Sequence, residues 1–321
     1  MTAEAATKLG APGASPVTRP WAGAHGSDGL YVYCVARGPG GYPFGPIGLD
    51  GAAVYTLASA DGPVASAPGS DSADLCVVVQ NCRAETPAGR LAGRSEQPDT
   101  IERWMLTHQS VVTEATQAFG TVLPMAFNMI VAASEGGTAP EQCHTAGENL
   151  MAWLDEKRDR FTGLLHKLAG KAEYGVQVFW DPKVITAAVV QRDPELLRIR
   201  DEARTKPKGL AYMLQQKLAK AARAALEAQA DRHIKCFYAQ IRGCVEDIRV
   251  GPIRRTPGAS PATCPRAGAR GSDGGQMLLN LSCLMDRGSA ALGRVLDEIE
   301  RTEGVWARFT GPWPPYNFVS P

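Results

Sequence analysis

The final stretch of the chain constrains its own conformation more tightly than any other segment. Three prolines and three large aromatic residues fall within the seven residues from Pro312 to Phe318. Because proline fixes φ and lacks an amide donor, this segment can form neither a helix nor a central strand. The side chains of Trp313, Tyr316 and Phe318 favour cover from water. We therefore predict an extended arm whose aromatics either clasp the protein's own body, the favoured alternative, or contact a partner.

The overall composition excludes several classes of partner. A length of 321 residues suits about two domains of roughly 100–200 residues each. The formal net charge of +1 provides no global field that would favour nucleic acid. No apolar run approaches the roughly 18–20 residues needed to span a bilayer, and the N-terminus lacks the apolar region of a secretory signal. We expect a cytoplasmic protein with no membrane span and no nucleic-acid partner.

The first half of the chain predicts a compact α+β domain. Residues 1–28, rich in Ala, Gly, Pro, Ser and Thr, are predicted to be a disordered lead. Three runs rich in apolar residues then indicate strands: Leu30–Val35, Ala53–Ala58 and Leu75–Gln80. A helix is expected from an Asp99 cap to Gly120, with Met105 and His108 on its buried face, followed by a single strand over Val122–Val131. We place this N-terminal domain at residues 29–136.

The second half predicts a ferredoxin-like βαββαβ domain with extra long helices, at residues 137–321. Its expected elements, in chain order, are a helix over Pro140–Ala169 capped by Thr138 and Glu141, a strand over Tyr174–Trp180, helices over Asp193–Ala203 and Leu210–Ile234, strand material over Cys236–Ile253 around Gly243, a strand over Met277–Leu284, a helix from Ser289 to Gly304, and a strand over Val305–Phe309. A low-complexity basic stretch at residues 254–275 is expected to be a mobile insertion.

No pattern in the sequence assembles an active site. The chain contains five histidines, and His108 is expected to be a hydrogen-bonded core imidazole. The eight cysteines show no zinc-binding spacing, and neither a nucleotide-binding loop nor a hydrolase nucleophile motif occurs. We predict no catalytic, cofactor-binding or metal-binding residues. The arginines at 254, 255, 266 and 270 could contact an acidic partner or nucleic acid, but a solvated loop is favoured because no aromatics interleave with them.

Five short motifs, in order along the chain, carry a resemblance to a known family. They are Leu30-Tyr-Val-Tyr33, His108-Gln-Ser-Val111, Val122-Leu-Pro-Met125 with Phe127, Glu173-Tyr-Gly-Val-Gln-Val178 with Asp181, and Gly311-Pro-Trp-Pro-Pro-Tyr-Asn-Phe-Val319. In these segments the chain resembles the GvpF/GvpL family of gas vesicle accessory proteins. The resemblance spans residues 30–319 and implies an N-terminal α+β domain followed by a modified ferredoxin-like domain with helical additions.

Three positions depart from the family's motifs. Gln109 stands where the family usually has Glu after the helical histidine, and Ala126 and Asn128 stand where it has Arg and Gly in Leu-Pro-Met-Arg-Phe-Gly. Because a Glu and an Arg are missing together, we infer that a family ion pair has been lost as a unit, which leaves neither charge stranded. A family partner contact through these two positions is then not expected here.

The resemblance implies a function that is not enzymatic. It implies a gas vesicle assembly factor, or a minor structural component, that binds the small hydrophobic shell protein and other accessory proteins. A soluble helper that transiently covers apolar shell surface would prevent its aggregation before assembly. The alternative is a small-molecule-binding regulatory protein, because ferredoxin-like domains often bind ligands at domain interfaces.

Overall fold

The computed structural model describes residues 29–58, 74–82, 98–133, 144–253 and 275–319, which hold ten β-strands and seven α-helices. The chain divides into two compact units, one of Met1–Val111 with Met125–Arg158 and one of Val112–Pro124 with Asp159–Pro321. The predicted domain boundary at residue 136 stays a prediction. The predicted lead, residues 1–28, and nearly all of the predicted insertion lie outside the described residues.

A six-stranded sheet is built around the buried first strand. Its strands are β1 Gly29–Arg37, β2 Pro43–Gly45, β3 Val54–Ala58, β4 Leu75–Cys82, β5 Val122–Pro124 and β6 Ile130–Ala132. The order is β2-β3-β4-β1-β5, and β6 also pairs with β1. Every residue of β1 except Arg37 is buried, which explains why the strand is a nearly continuous apolar run. The three predicted strands in this part of the chain are confirmed, whereas β2 was not predicted.

The predicted single strand over Val122–Val131 is wrong. Between β5 and β6 the chain turns, and Asn128 has a positive φ of 74°. The Met125 amide donates to the Tyr33 carbonyl at 2.9 Å, and the Met129 amide donates to the Ala126 carbonyl at 3.3 Å. The first bond joins the end of β5 to β1, and the second closes a turn inside an apolar run, where hydrophobicity alone predicts continued extension.

Helix α1 covers Pro98–Phe119 and ends at Gly120, whose φ of +79° suits glycine. Asp99 therefore lies in the first turn and is not the N-cap residue. The predicted buried face is confirmed at Trp104, His108, Val112, Ala115 and Phe119, but Met105 is 52% exposed. The apolar stripe is therefore narrower than the sequence pattern predicted.

The predicted long helix over Pro140–Ala169 is two helices, α2 Ala146–Glu156 and α3 Arg158–Leu168. They are separated at Lys157, which has φ −105° and ψ 10°. The capping box is formed by Thr145 and Glu148, whose side chains bond each other's backbone amides. The cap predicted at Thr138 and Glu141 lies outside the described residues.

The second sheet has four strands, all paired antiparallel. They are β7 Lys171–Trp180, β8 Asp247–Val250, β9 Gln276–Asp286 and β10 Val305–Trp313, in the order β10-β7-β9-β8. Three helices, α4 Pro182–Arg192, α5 Pro194–Thr205 and α6 Lys208–Arg242, connect β7 to β8, and α7 Ala291–Glu300 connects β9 to β10. The α+β class is confirmed. This strand order is compatible with the ferredoxin-like assignment, which stays a prediction.

In this region one helix was not predicted, and another helix was predicted to end too early. Helix α4 was missed because Asp181-Pro182 was interpreted only as the end of a strand, whereas the Asp181 carboxylate caps α4 and accepts from the Lys183 amide at 2.8 Å. Helix α6 continues to Arg242, so the strand expected from Cys236 is helical there. Phe237 and Ile241 lie four residues apart on its buried face, and their packing outweighs the strand preference of the local sequence.

One apolar core joins the second sheet to its helices. It unites the inward side chains of β7, β9 and β10 with those of α4, α6 and α7. Its fully buried members include Val176, Val178, Ile241, Cys283 and Leu292. The opposite face of this sheet carries more polar side chains, and the end of the chain lies against it.

Candidate functional site at the C-terminal edge

Strand β10 is an edge strand that the C-terminal arm extends. Its register against β7 runs from Val305 opposite Trp180 to Thr310 opposite Gly175, and resumes with Trp313 opposite Glu173. Between them, Gly311 has a φ of +117°, and a Cβ there would lie 2.9 Å from the Glu173 carbonyl oxygen. Only glycine suits this position, because it combines a positive φ with close backbone approach.

One side of β10 faces away from the sheet. The Ala307 amide donates to Oε1 of Glu300 at 2.8 Å, so it is not used in pairing with β7. Alternate backbone groups of an edge strand have no neighbouring strand to bond. Phe309 and Trp313, which are 42% and 39% exposed, flank this side. We call Phe309, Trp313 and the outward backbone of β10 the edge surface.

Ring stacking supports the strand that carries this surface. The Phe309 ring stacks on the ring of Tyr174, with centroids 5.3 Å apart, and the Trp306 ring stacks on that of Phe179 at 5.9 Å. Gly175 allows Thr310 to approach closely, because a Cβ at position 175 would lie 2.5 Å from the Thr310 hydroxyl oxygen. The edge surface is therefore presented by a strand that is fixed along its inner side.

The arm beyond Trp313 folds back onto the second unit. Pro314, Pro315, Phe318 and Val319 are buried. The Asn317 amide donates to Oε2 of Glu173 at 2.9 Å, while its side-chain amide donates to the other carboxylate oxygen and to the Ser282 hydroxyl. The buried carboxylate of Glu173 thus accepts two hydrogen bonds from one residue of the arm.

A cation adds to this anchoring. The guanidinium carbon of Arg249, on β8, lies 5.9 Å from the centroid of the Phe318 ring. Such contacts contribute roughly 0.5–1 kcal/mol at exposed sites. The short 3₁₀ helix Tyr316–Phe318 is therefore held from both β7 and β8.

The structure separates the three arm aromatics that the sequence grouped together. Trp313 is exposed, Tyr316 is half-buried, and Phe318 is 5% exposed. Whether each acts as a clasp or a partner contact stays a prediction. Sequence reasoning missed the contact between Asn317 and Glu173. A charged residue at the start of the apolar run of β7 was the available signal, but it does not reveal a partner 144 residues away.

The first unit buries a polar network instead of exposing its aromatics. The Asn128 amide donates to the Tyr31 hydroxyl oxygen at 3.1 Å, and this oxygen lies 2.8 Å from Nδ1 of His108. Burial raises the pKa of Tyr31 to about 12 and lowers the pKa of His108 to about 4. Both groups are neutral near pH 7, and a single hydrogen lies between the Tyr31 oxygen and Nδ1 of His108. The prediction for His108 is confirmed.

A second buried tyrosine fixes the loop after β2. The Tyr33 hydroxyl donates to Oε1 of Gln80, and the Leu49 amide donates to the same oxygen at 2.8 Å. Burial raises the pKa of Tyr33. Nearby, the indole nitrogen of Trp104 donates to the Asp50 carboxylate at 3.0 Å. These tyrosines hold the fold together through hydrogen bonds, and their raised pKa values leave no phenolate near pH 7.

The turn geometry explains one departure from the family motifs. Asn128 occupies the motif position where the family has Gly, and its φ of 74° is in the left-handed region. Asn adopts this region more readily than other residues with a side chain. The replacement therefore preserves the turn, and the Asn128 amide holds the Tyr31 hydroxyl.

No helix in the described ranges is both long and apolar enough to cross a membrane. Within the same residues, no group of three or more His, Cys, Asp and Glu side chains is placed to hold a metal ion.

Comparisons with known proteins agree with the motif resemblance. The family profile described as gas vesicle synthesis protein GvpL/GvpF matches residues 29–320. Gas vesicle protein L1 of Halobacterium salinarum is 28% identical over 299 residues, which cover 91% of each chain. Gas vesicle protein F of a Streptomyces species is 28% identical over 232 residues, which cover 70% of this chain and 82% of that protein.

Solved structures show the same fold. The crystal structure of gas vesicle protein GvpF from Anabaena superposes with a TM-score of 0.60 at 18% identity, covering 92% of this chain and 99% of that one. GvpF from Microcystis aeruginosa superposes with a TM-score of 0.53 at 17% identity. Because the family profile matches residues 29–320, the chain belongs to the GvpL/GvpF family of gas vesicle synthesis proteins.

Proposed function

We propose that this protein is a non-enzymatic assembly factor, or a minor structural component, of the gas vesicle. In this role it binds the small hydrophobic shell protein, together with other accessory proteins, in the cytoplasm where the vesicle grows. The observation that carries the proposal is the family match over residues 29–320. The edge surface supplies the physical means, because it exposes two aromatic side chains beside the outward backbone of a strand that has one neighbouring strand among the described residues.

The physical reason for such a helper lies in the chemistry of a shell. A subunit that polymerises through apolar surface is prone to aggregate before it is incorporated. An edge strand can add a strand from another chain, which gains main-chain hydrogen bonds, while neighbouring aromatics cover apolar side chains. The outward side of β10 offers both. The Glu300 carboxylate accepts the hydrogen bond of the Ala307 amide. It therefore limits strand pairing between two copies of this protein.

Co-expression with the shell protein tests the proposal. We expect the shell protein to remain in the soluble fraction and to co-purify with the full chain. Mass spectrometry of the purified protein tests the small-molecule alternative in the same preparation. An insoluble shell protein, combined with a metabolite retained in stoichiometric amount, would overturn the proposal and favour a ligand-binding regulator.

Variants of the edge surface test its part in binding. Trp313→Ala removes one of the two exposed rings of the edge surface, and we expect the soluble fraction of shell protein to fall several-fold. Leu106→Ala is the matched control, because Leu106 is 60% exposed on α1 of the other unit. If both variants behave alike while the wild type binds, the shell protein docks elsewhere and the assignment of the edge surface is wrong.

A further inference from the structure

The segment that ends α5 and begins α6 is strongly basic although the whole chain is nearly neutral. Between residues 204 and 223 there are six basic residues and no acidic one: Arg204, Lys206, Lys208, Lys217, Lys220 and Arg223. All six are exposed. The formal net charge of the entire protein is only +1, so this positive charge is concentrated in one short segment of the chain. A local field of this kind selects partners of opposite sign.

Large apolar side chains accompany the charges at the start of α6. Leu210, Tyr212 and Met213 are 47%, 62% and 68% exposed. Met213, Lys217 and Lys220 are four and three residues apart, so they lie on one helix face. We call the outward face from Leu210 to Arg223, with these apolar and basic side chains, the basic helix surface.

The other side of this helix is already packed. Helix α6 contacts α4 and α5, Ala222 is buried, and Leu214 and Leu218 are half-buried. The basic helix surface is therefore not the face by which α6 packs against its own unit. It is a second face of α6. The packing of α6 in its own unit does not require large apolar side chains on this face.

We propose that the basic helix surface docks an acidic amphipathic helix of a partner protein. Charge complementarity selects the carboxylates, and Tyr212 and Met213 supply the apolar contact. A second copy of this chain is disfavoured because the cations of one basic helix surface would face those of the other. Nucleic acid is disfavoured because Tyr212 is the single aromatic on this face, which provides no stacking platform. This inference goes beyond the proposed function and does not depend on what binds the edge surface.

Two designed peptides test this chemistry with the full chain. Each has about three heptads with Leu at positions a and d; one carries Glu at e and g, and the other carries Lys there. Fluorescence anisotropy should show binding of the Glu peptide at least about tenfold tighter than that of the Lys peptide. Raising the salt concentration from about 50 mM to about 300 mM should weaken the Glu peptide's binding. Equal binding of the two peptides overturns the proposal.

Charge reversal locates the surface. The triple variant Lys217→Glu, Lys220→Glu and Arg223→Glu should lower affinity for the Glu peptide by about tenfold or more and raise affinity for the Lys peptide. The matched control reverses three exposed cations elsewhere, Arg103, Lys183 and Lys235, and should change either affinity by less than about twofold. Met213→Ser, which keeps the charge, should weaken the Glu peptide by about threefold.

The remaining outcomes reject the proposal. Binding of the Glu peptide that is unchanged in the triple variant means that the peptide docks elsewhere. A single-stranded oligonucleotide or a phosphatidylserine vesicle that binds more tightly than the Glu peptide, and loses binding in the triple variant, means that this surface recognises phosphate and not an acidic helix. Circular dichroism of both triple variants separates these results from misfolding, which exposed substitutions should not cause.

Discussion

The two units of this protein use aromatic side chains in opposite ways. In the first unit, Tyr31 and Tyr33 are fully buried and their hydroxyls are hydrogen-bonded to His108 and Gln80. In the second unit, Phe309 and Trp313 stand exposed at a strand edge. Buried hydroxyls with partners specify one packing arrangement, whereas exposed rings leave apolar area for another molecule. The difference separates aromatic residues that are fixed inside the fold from aromatic residues whose rings stay exposed at a strand edge.

The C-terminal arm contains both uses within six residues, so it provides the largest expected effect. Phe318→Ala removes a buried ring and should lower the free energy of unfolding of the second unit by about 3 kcal/mol. Trp313→Ala should lower it by only about 1 kcal/mol, because Trp313 is 39% exposed. Urea denaturation followed by circular dichroism measures both. Equal losses of unfolding free energy in the two variants would contradict the difference in exposure between Phe318 and Trp313.

The buried histidine should make the first unit sensitive to acid. His108 has a pKa of about 4 in the folded protein, against 6.5 ordinarily, mainly because burial disfavours its charged form. The unfolded chain therefore binds a proton first, so stability is fully present above about pH 6.5 and is lost as the pH falls towards about 4. Between about pH 7 and about pH 5 the loss should reach about 2 kcal/mol.

Denaturation at a series of pH values measures this loss. His108→Gln cannot take up the proton and should reduce the pH dependence between about pH 7 and about pH 5, even if it lowers stability at every pH. A slope that persists unchanged in the variant would assign the acid sensitivity to other groups.

The hydroxyl of Tyr33 should contribute less than a buried ring. Tyr33→Phe removes the donor to Gln80 but leaves the Leu49 amide bonded to the same carboxamide oxygen. We expect a loss of about 1 kcal/mol in the free energy of unfolding, with shell-protein binding unchanged. Reduced binding at unchanged stability would contradict the separation between the two units.

The smallest stability effect is expected at Glu300. Glu300→Ala should change stability by less than about 0.5 kcal/mol because the side chain is exposed. It also frees the Ala307 amide on the outward side of β10, so shell-protein binding should increase and self-association should appear by light scattering. Glu300→Gln, which retains an acceptor oxygen, is the control. Identical behaviour of the two variants would show that the hydrogen bond from the Ala307 amide to Glu300 does not protect the edge from pairing.

Sequence reasoning succeeded where local chemistry decides the structure. The apolar runs of β1, β4, β7 and β9 and the glycine that ends α1 are local signals. The extended arm is right only in part, because Tyr316–Phe318 form a short 3₁₀ helix. It failed at the break between α2 and α3, because Lys157 is neither Gly nor Pro. It also failed at the end of α6, because the packing of Phe237 and Ile241 against the sheet is a long-range effect.

The sequence could identify the segment that holds the candidate site, but not the arrangement of its side chains. Aromatic and proline content identified the arm as unusual, but which ring is buried depends on Glu173, Ser282 and Arg249, which lie on three different strands. The basic face of α6 was visible in the sequence as charges on the outer side of a helix. Its three exposed apolar side chains were not, because which face of α6 packs against α4 and α5 depends on long-range contacts.

Site-specific cross-linking in vesicle-forming cells tests the central claim most directly. A photoreactive p-benzoylphenylalanine replaces Trp313 in one strain and the exposed Leu106 of the first unit in another. After irradiation, we predict a covalent adduct between the protein and the shell protein from position 313 and none from position 106. An adduct from position 106 with none from position 313 would contradict the account, because the shell protein would then contact the unit whose own aromatics are buried.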